Sequence, residues 1–139
     1  MPEPFHTSRL VEFHDTDMAG IMHFASFFVY MESVEHEMLR SLGLAIYTVA
    51  DGEHVTFPRV SVTCNYRTPA RFADELDFAI SVSRLGAKSV TYDFRITRDG
   101  TEIADGSMTA VCCRIEPGGK PVSRPIPAEI AEKLRTYAA

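Results

Sequence analysis

The sequence predicts an α+β domain in which one curved antiparallel sheet of about five strands wraps a single long helix. Three observations carry that expectation. Apolar residues recur at spacings of three and four between Phe24 and Leu42, a period of two takes over from Arg59 onward, and the breaks inside that second region are short. At 139 residues the chain is long enough for one core but too short for two enzyme domains. A single domain spanning 1–139 is therefore expected, with its core at about 5–116 and a tail at 117–139.

Phe5 to Phe13 is the first candidate strand. The helix follows: Phe24, Phe27, Phe28, Met31, Val34, Met38, Leu39 and Leu42 form one apolar stripe at 100° per residue. Its start lies at Ser26 or near Gly20, and Gly43 supplies a left-handed stop, giving a helix of about 19 residues or roughly 28 Å. Next come Val60, Val62, Cys64 and Tyr66 alternating with Arg59, Ser61, Thr63, Asn65 and Arg67, a strand with one buried face. Leu76, Phe78, Ile80 and Val82 define another, and Val90, Tyr92, Phe94 and Ile96 a third; a fourth runs from about Glu102 to Ile115. The connections TPARFAD, LGAK and RDGT predict an antiparallel meander, and Asp99-Gly100 suits a tight hairpin turn. The tail, rich in proline at first and helical at its end, is expected to dock on the surface.

Composition removes several classes of function. With 45% hydrophobic and 24% charged residues the chain reads as a folded, water-soluble protein. No apolar run approaches the roughly 20 residues that cross a bilayer, and MPEPFHTSRLVEF lacks the pattern of a secretory signal, so no membrane partner and a cytoplasmic location are expected. A net charge of -5 argues against nucleic acid as a partner. Cys64, Cys112 and Cys113 lack metal-binding spacing and read as reduced, mostly buried thiols.

Chemistry concentrates in Phe13–Phe24, FHDTDMAGIMHF. A metal site built from His14, Asp15, Asp17 and His23 is disfavoured, because no HxxxH or HExxH helix spacing is present. The DTD triplet is compatible with an aspartyl phosphotransferase only on a parallel sheet with helical crossovers, which the strand pattern does not allow. From the residues alone, Asp17 before a helix reads as an N-cap.

The segment DTDMAGIMHFASFFVYMESVEHEMLRSLGL resembles the signature of the 4-hydroxybenzoyl-CoA thioesterase family, including YbgC-like acyl-CoA thioesterases of the hotdog superfamily. Asp15, Thr16, Asp17, Gly20, Ile21, Met22, Phe24 and Phe27 occupy the motif positions, and the later NYRTPARFADEL is similar to the strand and turn that follow in that family. The resemblance covers about residues 5–116 and implies a hotdog domain that hydrolyses an acyl-CoA thioester to free acid and CoA. It implies that Asp17 is the catalytic carboxylate, as nucleophile or general base, across the Gly20 turn from backbone N–H groups around Phe24 that polarise the carbonyl. His23 either assists the leaving group or makes a local hydrogen bond at the helix entry. No cofactor and no metal are implied; coenzyme A arrives as part of the substrate.

Glu35 falls in the middle of the apolar stripe, about 40° from Met31 and from Leu39, where YbgC-like sequences often carry arginine. It is either a second candidate catalytic carboxylate or one half of a buried pair with an arginine such as Arg59 or Arg67. Arg71, Lys88 and Ser89 match regions the family uses near the nucleotide of CoA. Open strand edges, together with the family's habit of pairing two such sheets, imply a homodimer or homotetramer with both chains contributing to each site. Two alternatives stand beside hydrolysis: a hotdog hydratase or dehydratase, weakened because Ala25-Ser26 follows His23-Phe24 in place of an HFPG-like motif, and a non-catalytic acyl-CoA binding protein.

Overall fold

The computed structural model describes residues 3–139 and contains two sheets and two α-helices. The larger sheet has five antiparallel strands in the order β1-β5-β6-β7-β4: β1 (Phe5–Leu10), β4 (Arg59–Tyr66), β5 (Glu75–Leu85), β6 (Ser89–Arg98) and β7 (Thr101–Val111). Helix α1 (Ser26–Ser41) buries Phe27, Tyr30, Met31, Val34, Glu35, Met38 and Leu39 against that sheet. The two-layer arrangement expected from the change of period is therefore present, with differences in detail that follow from identifiable causes.

Helix α1 has 16 residues rather than about 19. Its stripe begins late because the amide of Ser26 closes a tight turn onto the His23 carbonyl at 3.0 Å, which leaves Phe24 outside the helix and 61% exposed. It ends as expected, on Gly43 with φ of 73°.

The strands do not form a simple meander. β4 pairs with β7, and β1 takes the place beside β5, so TPARFAD crosses the end of the β6–β7 hairpin instead of reversing the chain in place. Arg67 and Thr68 donate backbone bonds to the Ile103 carbonyl at 2.8 and 3.2 Å, and Arg98 reaches the Pro69 carbonyl and the Asp74 carboxylate. β4 consequently lies at the sheet's edge. Its presumed buried face is open: Val60, Val62 and Tyr66 are 61%, 42% and 45% exposed.

A hairpin absent from the sequence reading, β2 (Tyr47–Ala50) and β3 (Glu53–Thr56), turns at Asp51-Gly52 with positive φ at both residues. It starts a smaller sheet of order β2-β3-β8-β9 with β8 (Cys113–Arg114) and β9 (Val122–Ser123). The expected fourth strand is thus divided: at Cys112 the chain leaves β7, its amide bonds the Lys88 carbonyl at 2.7 Å, and it re-enters the smaller sheet. Nor does the tail merely dock on the surface. Helix α2 (Ala128–Leu134) puts Ile130 and Leu134 into the same apolar cluster as Met38 and Tyr92, with Ile126 just before it. Cys112 and Cys113 are buried and all three cysteines are free. Among the described residues, no helix is long and apolar enough to cross a membrane.

Candidate active site

The segment between β1 and α1 is held as a compact loop. The 3-10 turn Phe13–Asp15 is followed by an antiparallel bridge between Thr16 and Met22. Across it Asp17 donates its amide to the Ile21 carbonyl at 2.9 Å, and Gly20 donates back to the Asp17 carbonyl at 2.9 Å. Gly20 has φ of 76°, a conformation that side chains other than glycine rarely adopt. One Asp17 oxygen, Oδ1, accepts the Ala19 amide at 2.8 Å. The carboxylate therefore caps its own turn and not the helix, and its second oxygen has no partner among the described residues.

The loop is anchored on three sides. Met22 donates its amide to the Ala70 carbonyl at 2.7 Å, and His23 donates its amide to the Asp15 carbonyl at 2.7 Å. The Asp15 carboxylate accepts the Tyr30 hydroxyl at 2.6 Å, which ties the loop to α1. Burial, and after it that hydrogen bond, push the Tyr30 hydroxyl up to about 12, so at neutral pH it stays protonated and remains a donor. Asp15 thus shapes the loop.

Asp17 opens onto a cavity of about 280 Å³ lined by Ile21, Met22, Phe24, Phe27, Tyr66, Arg67, Thr68, Pro69 and Ala70. Phe27 and Tyr66 meet edge to face at 5.2 Å. Tyr66 donates its hydroxyl to the Phe24 carbonyl at 2.9 Å. The Phe24 amide has no hydrogen-bond partner among the described residues and lies just before the first turn of α1, where unpaired N–H groups and the positive end of the helix dipole collect. A larger depression, about 350 Å³ on the outer face of the sheet around Thr63, Ser81 and Asp93, has no such donor and is walled as much by polar as by apolar atoms.

Four of the candidate residues, His23, Glu35, Lys88 and Ser89, fall elsewhere or take other partners. His23 accepts the Ala25 amide on Nδ1 at 3.1 Å and stacks on the Phe24 ring, so it serves the helix entry. Glu35 is 1% exposed, and its two carboxylate oxygens accept from Nη1 and Nη2 of Arg59. It is not among the residues lining the Asp17 cavity. Of the two arginines considered, Arg59 is the partner; Arg67 pairs with Asp105 at 3.0 Å. Arg71 lies at the rim of the site, with Nη1 3.4 Å from the Gly20 carbonyl. Lys88 and Ser89 sit at the opposite end of β6 from Arg98, which is bonded to the Asp74 of the Arg71 turn; ten residues of strand separate them by roughly 30 Å. Within one chain, therefore, these residues and Arg71 form no single patch. Tyr66, placed from the sequence only on the buried face of a strand, is the residue whose hydroxyl role went unseen, since no spacing in the sequence links position 66 to position 24. Among the described residues no group of three or more His, Cys, Asp and Glu is arranged to hold a metal ion.

The half-free Asp17 carboxylate and the unpaired Phe24 amide thus share one largely apolar cavity at the end of a sheet wrapped on a helix. The chain belongs to the thioesterase-like superfamily, which residues 11–134 match. It is 29% identical over 133 residues to a putative esterase of Aquifex aeolicus, covering 95% of this chain and 98% of that protein. It is 27% identical over 103 residues to the acyl-CoA thioester hydrolase YbgC of Escherichia coli, covering 73% and 76% of the two chains. Among solved structures, the BH1999 gentisyl-coenzyme A thioesterase superposes with a TM-score of 0.79 at 28% identity, covering 91% of this chain and 98% of its own. The 1,4-dihydroxy-2-naphthoyl-CoA thioesterase of Synechocystis superposes at 0.83 with 20% identity over 94% of both chains, a likeness of fold.

Proposed function

We propose that this protein hydrolyses an acyl-CoA thioester to a carboxylic acid and CoA, with Asp17 as the catalytic carboxylate and the Phe24 amide as the oxyanion donor. The observation that carries the reading is the presence of the free Asp17 oxygen and the unpaired Phe24 amide on one cavity with apolar walls. The acyl group lies against Ile21, Phe27 and Tyr66. As the carbonyl carbon becomes tetrahedral its oxygen gains negative charge, which the Phe24 N–H and the helix dipole stabilise. Asp17 either takes a proton from a water that attacks the carbonyl, or attacks it directly to form an anhydride that water then opens. In both routes the carbon–sulfur bond breaks and CoA leaves as a thiolate that is then protonated, while water supplies the new oxygen of the acid. No cofactor enters either route.

The exposed edge of β4 supports a homodimer as the working unit. In a two-fold antiparallel pairing of β4 with its copy, the Tyr66 end of one strand lies beside the Arg59 end of the other. Arg59 neighbours Ala110 on β7, and Val111 neighbours Ser89 on β6. The Lys88–Ser89 turn of the second copy thereby approaches the Asp17 cavity of the first. Arg71 from one chain and Lys88 and Ser89 from the other then meet the phosphates of CoA. The relatives named for gentisyl-CoA, dihydroxynaphthoyl-CoA and general acyl-CoA hydrolysis guide the test. A panel of short, long and aromatic acyl-CoAs, followed by release of free thiol, is expected to give turnover with at least one of them. Tight binding without thiol release across the panel would instead indicate a binding protein.

A further inference from the structure

The turn His23–Ser26 uses nearly all of its backbone hydrogen-bonding groups. The Ser26 amide donates to the His23 carbonyl at 3.0 Å, and the His23 amide donates to the Asp15 carbonyl at 2.7 Å. The peptide between Phe24 and Ala25 is gripped from both sides by side chains. Its carbonyl accepts the Tyr66 hydroxyl at 2.9 Å, and its N–H donates to His23 Nδ1 at 3.1 Å. The preceding peptide is thus fixed through its own carbonyl and through the locked peptide after it, leaving the Phe24 N–H as the turn's one backbone amide without a partner among the described residues.

We propose that Tyr66 and His23 are positioning residues which clamp the 24–25 peptide so that the Phe24 N–H stays aimed as the oxyanion donor; the inference rests on the thioesterase reading above. An oxyanion donor contributes most when it needs no reorganisation at the moment of reaction, and a turn outside the helix is free to rotate its peptides unless something holds them. Tyr66 comes from edge strand β4 and His23 from the loop itself, so the clamp joins two elements that are far apart in sequence. Partial burial raises the Tyr66 hydroxyl further above neutrality, and it keeps the proton it donates. The His23 bond has the geometry of an Asx turn, in which a side-chain acceptor takes the amide two residues on, so asparagine can replace it in kind.

Steady-state kinetics on four proteins test the clamp, alongside exchange of the Ala25 amide followed by NMR. Tyr66→Phe keeps the ring that packs on Phe27 and removes only the hydroxyl. It is expected to lower kcat by about tenfold or more with little change in KM or in the thermal midpoint. His23→Ala is expected to lower kcat likewise and to speed exchange of the Ala25 amide. His23→Asn is expected to recover most of both losses. If the wild-type protein turns over substrate and Tyr66→Phe and His23→Ala keep kcat within about twofold, the clamp is overturned while the thioesterase reading stands. If His23→Asn behaves as His23→Ala does, the positioning role of His23 is overturned. A wild-type protein without turnover on any thioester removes the thioesterase reading itself.

Discussion

Asp17 and Glu35 are both acidic residues in an apolar setting, yet their surroundings give them different work. Asp17 has one oxygen held by the Ala19 amide and the other free at the cavity. Replacing it with asparagine keeps a turn acceptor and removes the charge, so Asp17→Asn is expected to lower kcat by about 100- to 10,000-fold while circular dichroism and the thermal midpoint stay close to wild type. Glu35 is held away from water, and burial favours its protonated form while the Arg59 guanidinium favours the charged one. Removing only the arginine leaves a buried carboxylate without its partner. Arg59→Met is therefore expected to cost about 3–5 kcal/mol in urea unfolding, and the paired change of Glu35 and Arg59 to apolar residues of similar size to cost less. Should Glu35→Gln abolish turnover without loss of stability, the pairing role assigned here is wrong. That Glu35 needed a partner was legible from its place on the helical stripe; which arginine supplied it was not, because Arg59 opens β4 and Arg67 directly follows its end, and only the packing of β4 against α1 decides between them.

The strands show the same division at the scale of elements. Period-two alternation found β4, β5 and β6, and Asp99-Gly100 marked the β6–β7 turn with positive φ at both residues. Asp51-Gly52 carries the same turn chemistry between two four-residue runs, too short for alternation to stand out. Pairing was less legible than existence: TPARFAD is about as long as an ordinary hairpin loop, and only its bonds to Ile103 and Arg98 reveal a crossing. Gly106 on β7 is a place where two elements close on a backbone. A Cβ there would stand 2.7 Å from the Thr63 carbonyl oxygen and 2.9 Å from Met31 Cε. Gly106→Ala is expected to lower stability by about 1–3 kcal/mol in chemical unfolding, through displacement of β4 from β7. An unchanged unfolding midpoint would mean that the strands yield freely.

At the scale of the molecule the exposed face of β4 is the unfinished part of the fold. Val60, Val62 and Tyr66 point to the side that α1 covers elsewhere, and among the described residues no further strand lies beyond β4. A lysine on such an edge opposes pairing at little cost to a monomer. Val62→Lys is therefore expected to shift sedimentation from dimer to monomer, to leave the far-ultraviolet circular dichroism intact, and to raise KM for CoA thioesters as the second chain's Lys88 and Ser89 are lost. A wild-type protein that sediments as a monomer with full turnover would contradict the shared site. The sequence by itself determined the two-layer class, the helix and its Gly43 stop, most strands and the loop that carries Asp17, because those depend on periodicity and on the conformational demands of single residues. Tertiary structure alone decided that β4 lies at an edge, that α2 joins the core, that Glu35 pairs with Arg59 and that Tyr66 reaches Phe24, because each joins residues distant in the chain and no local spacing encodes their distance.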